Sequence, residues 1–401
     1  MKSAPIMSLV EIAESVQYGY TASASDSEVG PKFLRITDIV PPQIDWANVP
    51  YCVIDEKNFN KCSLEPGDIV IARTGATVGY AKLIRDNEPS VFASYLVRVR
   101  VDPEKADPGY VGRIVESDVY KRFVLSRVGG AAQPNANAKV LSSFRLPIPE
   151  RAVQQRIASI LSAYDDLIEN NRRRIQLLEQ AARLLYKEWF VHLRFPGHEH
   201  VKIIDGVPEG WERTTVPEVI EVNPMEATPR GTPIRYVPMA GLSTTGMSVE
   251  LSVSEMRAKS TPVRFRNGDT LFARITPCLE NGKTGFANFL HGDEVACGST
   301  EFIVLRGRSV SSFFTYCFAR TYDFRETAIK SMIGSSGRQR VQTSCFNDFV
   351  VALPPRMLLE QFDQRCEPIF RQIGGLSGQV QSLTQARDLL LPRLMNGEIS
   401  V

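Results

Sequence analysis

Histidine is nearly absent from this 401-residue sequence, which holds only His192, His198, His200 and His291. Metal centres recruit imidazoles at regular spacing, and only His198 and His200, flanking Glu199, come near such a pattern. They lie in a Gly- and Pro-containing stretch that reads as a loop, so no metal and no cofactor is expected. The seven cysteines form no CxxC pair and are odd in number. That excludes a disulfide framework and predicts reduced thiols in a cytoplasmic protein. No apolar run is long enough to span a bilayer, and no secretion signal is recognised, so no membrane partner is expected. Net charge is only +2. A protein that grips nucleic acid through its overall field carries more. Charge therefore identifies no partner, and the reading must rest on organisation.

What the chain does have is a repeat. Gly67-Asp68-Ile69-Val70-Ile71-Ala72-Arg73 returns as Gly268-Asp269-Thr270-Leu271-Phe272-Ala273-Arg274, an offset of 201 that also pairs Arg35-Ile36 with Tyr236-Val237. Gly79-Tyr80-Ala81 answers Gly285-Phe286-Ala287 at an offset of 206, which persists through Leu96/Phe302, Gln133/Gln339, Pro149/Pro355 and Gln155/Gln361. The step predicts one five-residue insertion between Thr276 and Gly285. In each copy, short apolar runs punctuated by Gly, Pro and Asp read as strands. Each then closes on a proline hinge, Leu146-Pro147-Ile148-Pro149 or Leu353-Pro354-Pro355.

A long helical pattern follows each hinge. Val153, Ile157, Ile160, Tyr164, Leu167, Asn171, Ile175, Leu178, Ala182, Leu185 and Trp189 alternate steps of three and four, with a stutter at Asn171. Leu359, Phe362, Cys366, Ile369, Ile373, Leu376, Val380, Leu383, Arg387, Leu390 and Leu394 do the same. So narrow a seam needs a partner helix, and the other copy offers one of matching length, about 60 Å for some 40 residues. Pro368, Gly374, Gly375 and Gly378 predict a bend or break in the second helix. The expected architecture is α+β. It places mixed α/β domains at 1–149 and 211–355, long helices at 150–192 and 356–401, and a linker at 193–210.

Two such domain–hinge–helix units in tandem resemble the specificity subunits of Type I restriction-modification systems. Local motifs agree: Pro149 with Gln154-Gln155-Arg156-Ile157, Ile168-Glu169-Asn170-Asn171, Gly210-Trp211-Glu212, and Pro277-Cys278-Leu279-Glu280-Asn281-Gly282-Lys283. The resemblance implies two target-recognition domains separated by an antiparallel coiled coil, each reading half of a split target in double-stranded DNA. It further implies two methyltransferase subunits and translocase-nuclease subunits as partners, with chemistry left to them. The first copy lacks a Gly-Trp opening. Competing readings are a stand-alone DNA-binding regulator that dimerises through the helices, and an enzyme with an unrecognised site.

Catalytic motifs are near misses. Asp107-Pro108-Gly109-Tyr110 has glycine where an adenine methyltransferase needs a second proline, and reads as a turn. Gly282-Lys283-Thr284 ends like a phosphate-binding loop, but Pro277 stands where its first glycine belongs. Gly241 and Gly246 have that spacing, yet Met247 replaces the lysine. Asp68 and Asp269 each follow a glycine and precede a strand, the pattern of a turn.

Base reading needs paired donors, or donors beside acceptors, on loops; Arg suits guanine, and Asn or Gln suits adenine. Two regions of each copy supply them. The first holds Arg73, Thr74 and Thr77, then Arg274, Thr276, Asn281 and Lys283. The second holds Gln133, Asn135, Asn137 and Lys139, then Ser335, Ser336, Arg338, Gln339 and Arg340. Gly129, Gly130, Gly334 and Gly337 beside them would let backbone approach phosphate. Residues common to both copies, Arg73/Arg274 and Gln133/Gln339, are assigned to holding the loop or touching phosphate. Those that differ, Asn135, Asn137, Arg338 and Arg340, are assigned to specificity. The run Arg172-Arg173-Arg174 reads as a solvated or partner-facing surface.

Overall fold

A computed structural model describes residues 4–41, 43–128, 134–228, 231–335, 337–395 and 398–399. The chain divides into two compact units, Met1–Leu167 with Leu383–Val401, and Ile168–Ser382. The division falls inside both long helices.

In the first unit an antiparallel sheet runs in the order Ala13–Tyr18, Leu96–Val101, Ile69–Ala72, Ala81–Leu83. Ile69 lies opposite Val99 on one side and Leu83 on the other. Side chains alternate across a strand, and here both faces are covered. Ile69 and Ile71 enter a core with Tyr110, Val111, Ile114 and Tyr120 from the helices Pro108–Val115 and Asp118–Arg127. Val70 and Ala72 enter another, built on the parallel pair Lys32–Leu34 and Ser90–Phe92. Two-sided burial explains why this strand is apolar without alternation.

The second unit repeats the plan. Its sheet runs Ile220–Val222, Phe302–Gly307, Thr270–Ala273, Thr284–Phe286. Phe272 packs with Phe314, Phe318 and Phe324 of the helices Ser312–Ala319 and Tyr322–Lys330, while Leu271 packs with Val237 and Phe265. Each repeat also opens on a strand paired with the strand of its hinge: Ile6–Ser8 with Arg145–Pro147, and Glu212–Thr215 with Val350–Leu353. A one-turn helix follows, fastened by a capping box, Ser8 with Glu11 and Thr215 with Glu218. Hydrogen bonds from the Ser8 hydroxyl and N–H hold the Glu11 carboxyl below its usual range; Thr214 and Thr215 do the same for Glu218.

Strand pairing corrects the repeat register. Leu83 matches Phe286 and Gly79 matches Gly282, an offset of 203 rather than 206. Both glycines have left-handed backbones, φ 85° and 76°, as this turn demands. Leu34 likewise matches Val237 at 203, since their carbonyls accept from Ala93 and Ser299. The expected five-residue insertion is therefore split, two residues in the turn and three before the strand Phe302–Gly307. Gly285 instead serves packing: a Cβ there would meet Leu242 Cδ2 at 2.7 Å.

The long helices are Arg151–Tyr186, continued by a wider π turn at Lys187–Val191, and Arg356–Met395. The expected break in the second is not found; it is one uninterrupted helix. Pro368 costs about 3 kcal/mol and each glycine about 1 kcal/mol relative to alanine. Burial of Phe362, Cys366, Phe370, Ile373 and Leu376 on its inner stripe outweighs that cost. The first helix also departs at one seam position. Leu167 is 52% exposed and Ile168 takes its place in the interior, a one-residue slide at the stutter. In the second unit the helices pair antiparallel, Asn171 Nδ2 donating to Gln379 Oε1 at 3.2 Å while Tyr186 and Trp189 meet Phe362. In the first unit Ile157 and Leu161 share a core with Leu391 and Leu394, and Arg387 donates to Asp165 at 2.7 Å. The fold is α+β, with two tandem mixed domains and two long helices.

Between them, Phe195 and Trp211 are buried with ring centroids 5.3 Å apart, so the segment at 193–210 is pinned to the second unit's core at both ends.

Candidate nucleic-acid interface

The two loop regions singled out in each copy are far apart in sequence, yet the fold joins them. In the first unit Ala136 N–H donates to Arg73 O at 2.8 Å, and Gly75 N–H donates to Pro134 O at 3.0 Å. In the second, Val341 N–H donates to Arg274 O at 2.8 Å, and Thr276 N–H donates to Gln339 O at 3.1 Å. The same two bonds thus close the same ladder at the end of the same strand, and they match Gln339 with Pro134 rather than with Gln133 as the sequence offset had it. Thr74 faces Asn135 across it, and Ile275 faces Arg340.

Arginine at the root of this ladder is half-buried in both units. Arg73 Nη2 donates to Asn135 Oδ1 at 3.4 Å, and its guanidinium lies 4.8 Å from the centroid of the Tyr18 ring. Arg274 Nη2 donates to Val341 O at 3.4 Å. In each, Nε is buried with no hydrogen-bond partner.

The other residues divide into those engaged in the loop and those exposed upon it. Thr276 is buried and its hydroxyl accepts from Gln339 N–H at 3.0 Å. Lys283 Nζ donates to Met239 O at 3.0 Å. Asn137 caps the short helix Ala138–Ser142, accepting from Val140 N–H at 2.9 Å. Thr77 ends the tight turn Gly75–Thr77. Lys139, Asn281, Ser335 and Arg338 are exposed, the last two joined by Arg338 N–H to Ser335 O at 3.0 Å. Gly337, φ 79°, supplies the left-handed step of that tip. Gln133, Gly129, Gly130 and Ser336 lie outside the described residues.

Two residues at the ladder went unnoticed in the sequence. Tyr95 O accepts from Arg73 N–H, and Glu301 O accepts from Arg274 N–H, both at 3.0 Å. They are structural equivalents of opposite chemistry. Tyr95 is exposed, as is Asn135 across the ladder from Thr74. Glu301 instead grips Arg340, whose Nη2 donates to Oε1 at 2.7 Å and whose Nε lies 3.0 Å from both oxygens. That grip raises the Arg340 pKa above its ordinary value. The signal was available, because the offset that pairs Leu96 with Phe302 also pairs their predecessors.

The carboxylates of the two Gly-Asp turns serve the frame. Asp68 and Asp269 are each 1% exposed. Asp68 takes a two-pronged grip from Arg100, 2.8 Å on each oxygen, and Asp269 takes one from Arg306 at 2.7 and 2.6 Å. Their Oδ2 atoms also accept from the N–H groups of Glu65 and Arg266, closing the turn. Asp107 caps the helix Pro108–Val115 with proline in its first turn, so the methyltransferase-like tetrad is a helix start. Among the described residues, no group of three or more His, Cys, Asp or Glu side chains could hold a metal, and no helix is long and apolar enough to cross a membrane. His198 and His200 are exposed on a short turn, Arg173 and Arg174 are exposed mid-helix, and all seven cysteines are free thiols.

Comparison with known proteins agrees with this architecture. Residues 6–180 match the Type I restriction modification DNA specificity domain. The Type I restriction enzyme MjaIX specificity subunit of Methanocaldococcus jannaschii is 24% identical over 379 residues, 89% of this chain and 85% of that protein. The EcoAI specificity subunit of Escherichia coli is 31% identical over 186 residues, 44% of this chain and 31% of that one. In fold, the chain is similar to the crystal structure of the Type I restriction-modification S subunit from M. genitalium, with TM-score 0.54 and 13% identity over 98% of this chain and 96% of that one. The chain is thus similar over most of its length to Type I restriction-modification specificity subunits, and its residues 6–180 match the DNA specificity domain of those systems.

Proposed function

We propose that the chain reads a bipartite target in double-stranded DNA for a Type I restriction-modification complex. Residues 1–149 and 211–355 act as its target-recognition domains, one for each half. The long helices set the spacing of the halves and dock two methyltransferase subunits, and translocase-nuclease subunits join that assembly. Methyl transfer and cleavage then belong to the partners, and this chain supplies sequence.

One observation carries the reading. A ladder of the same design ends each central strand, but the residues on it differ: Tyr95 and Asn135 in one unit, the ion pair of Glu301 and Arg340 in the other. A common frame with divergent tips is what two readers of different half-targets require. Phosphate contacts position and base contacts specify, so the divergent residues Asn135, Asn137, Arg338 and Arg340 are the specificity set. Arg73, Arg274, Thr276, Gln339 and Lys283, all tied into the loops, hold them in place. Lys139, Thr74, Thr77, Asn281 and Ser335 flank them as further DNA contacts.

Arg338→Ala tests the assignment. Binding of the assembled complex to one half-target should weaken by about 1–3 kcal/mol while the other half is read unchanged. An equal loss on all sequences would make Arg338 a phosphate contact. With a net charge of +2, the isolated chain should bind DNA weakly and depend on its partners for phosphate grip. Tight specific binding by the chain alone at moderate salt would favour the stand-alone regulator.

A further inference from the structure

Arg340 is fixed from every side. Its N–H donates to Ile333 O at 2.9 Å and its carbonyl accepts from Ile333 N–H at 3.0 Å. On the opposite side it faces Ile275, with Gln339 and Val341 bonded to Thr276 and Arg274 at either flank. The side chain is held as firmly, since Glu301 takes its Nε–Nη2 edge. Glu301 is itself anchored, its carbonyl accepting from Arg274 N–H and its N–H donating to Ser299 Oγ at 3.2 Å.

A guanidinium is planar with two donor edges. With one edge taken by a carboxylate, the Nη1–Nη2 edge is left to face a second pair of acceptors. Guanine presents such a pair, O6 and N7, in the major groove. We propose that Glu301 is a positioning residue that locks Arg340 to read a guanine in the half-target of the second repeat, an inference that rests on the DNA-reading function above.

Four points support it. The side chains of the pair remain accessible, Arg340 45% and Glu301 22% exposed, so a duplex could reach them. An exposed ion pair adds little to stability, so folding alone gives weak reason for this geometry. A long side chain ordered before binding has already lost the rotamer freedom that a flexible arginine would lose on meeting DNA. The first repeat shares the Asp–Arg grip of the frame but puts Tyr95 and Asn135 here, so the pair belongs to what distinguishes the repeats.

The test uses the full chain assembled with its methyltransferase subunits and a library of duplexes randomised at each position of both half-targets. The wild-type complex should prefer guanine at one position of one half. Arg340→Ala should lower that preference about ten- to a hundredfold and leave the other half intact. Arg340→Lys should keep affinity and lose the preference, because an ammonium is a point charge without a fork. Glu301→Gln should weaken the same preference with Arg340 present, and add nothing when combined with Arg340→Ala. A wild-type guanine preference untouched by Arg340→Ala overturns the assignment alone, as does a uniform loss on all sequences. A preference that survives Glu301→Gln removes Glu301 from the role. A wild-type complex with no base preference in either half overturns the DNA-reading function, and this assignment with it.

Discussion

Asp68 in the first unit is gripped by Arg100 and lies 3.8 Å from Arg98; Asp269 in the second is gripped by Arg306, which also holds Glu226 at 2.5 Å. The two carboxylates end the same turn before the same strand, yet Asp68 serves two cations, one of them shared with the exposed Glu65, whereas Asp269 shares its one gripping cation with the largely buried Glu226. The contrast recurs at the helices. In the first unit Asp165 gathers Arg85, Arg113 and Arg387. In the second a buried Glu179 accepts from Tyr316 Oη at 2.6 Å and from Met247 N–H at 2.8 Å amid an aromatic core. Backbone design is shared between the repeats while charges are rearranged, so identity of fold does not require identity of polar contacts.

Removing the frame acids should expose that difference most. Asp68→Ala leaves the buried Arg98 without a carboxylate and Arg100 with only the exposed Glu65, 3.3 Å away, a loss of about 3–5 kcal/mol. Asp269→Ala should cost less, about 2–3 kcal/mol, because Arg306 keeps Glu226. Urea unfolding of the two variants checks the order; equal losses would show that Glu226 does not compensate. A smaller contrast lies after each ladder. Asn137 caps the helix Ala138–Ser142, whereas Gln342, before the turn Thr343–Phe346, makes no side-chain cap bond. Asn137→Ala should lower stability by about 1 kcal/mol and Gln342→Ala should change it little. The smallest effect concerns the helices. The first has no glycine, while Gly375 and Gly378 of the second face open space. Gly375→Ala or Gly378→Ala should each raise the melting temperature, by up to about 1 kcal/mol in stability. No change would mean that the helix there contributes little to the folded state.

Much of this was legible in the sequence. The duplication, the proline hinges and the three-four helical stripes follow from strand and helix periodicity, and all appear. The register did not follow, because Gly79-Tyr80-Ala81 resembles Gly285-Phe286-Ala287 more than it resembles Gly282-Lys283-Thr284. Strand ladders are set by backbone hydrogen bonds and by the turn's need for a left-handed glycine, which letters do not record. The unbroken second helix was missed because local propensity was set against burial that only the tertiary structure supplies. At the candidate interface, the sequence marked both loops, but their meeting depends on long-range bonds such as Ala136 to Arg73. The Glu301–Arg340 pair joins residues 39 apart and has no local pattern to reveal it.

The most direct test of two readers on one chain is a map of DNA methylation across a genome, with this gene intact, deleted, or carrying Arg338→Ala with Arg340→Ala. The account predicts a motif of two specified blocks around an unspecified gap, lost on deletion, with one block relaxed and the other unchanged in the double variant. A motif indifferent to the deletion, or one whose two blocks degrade together, would contradict it.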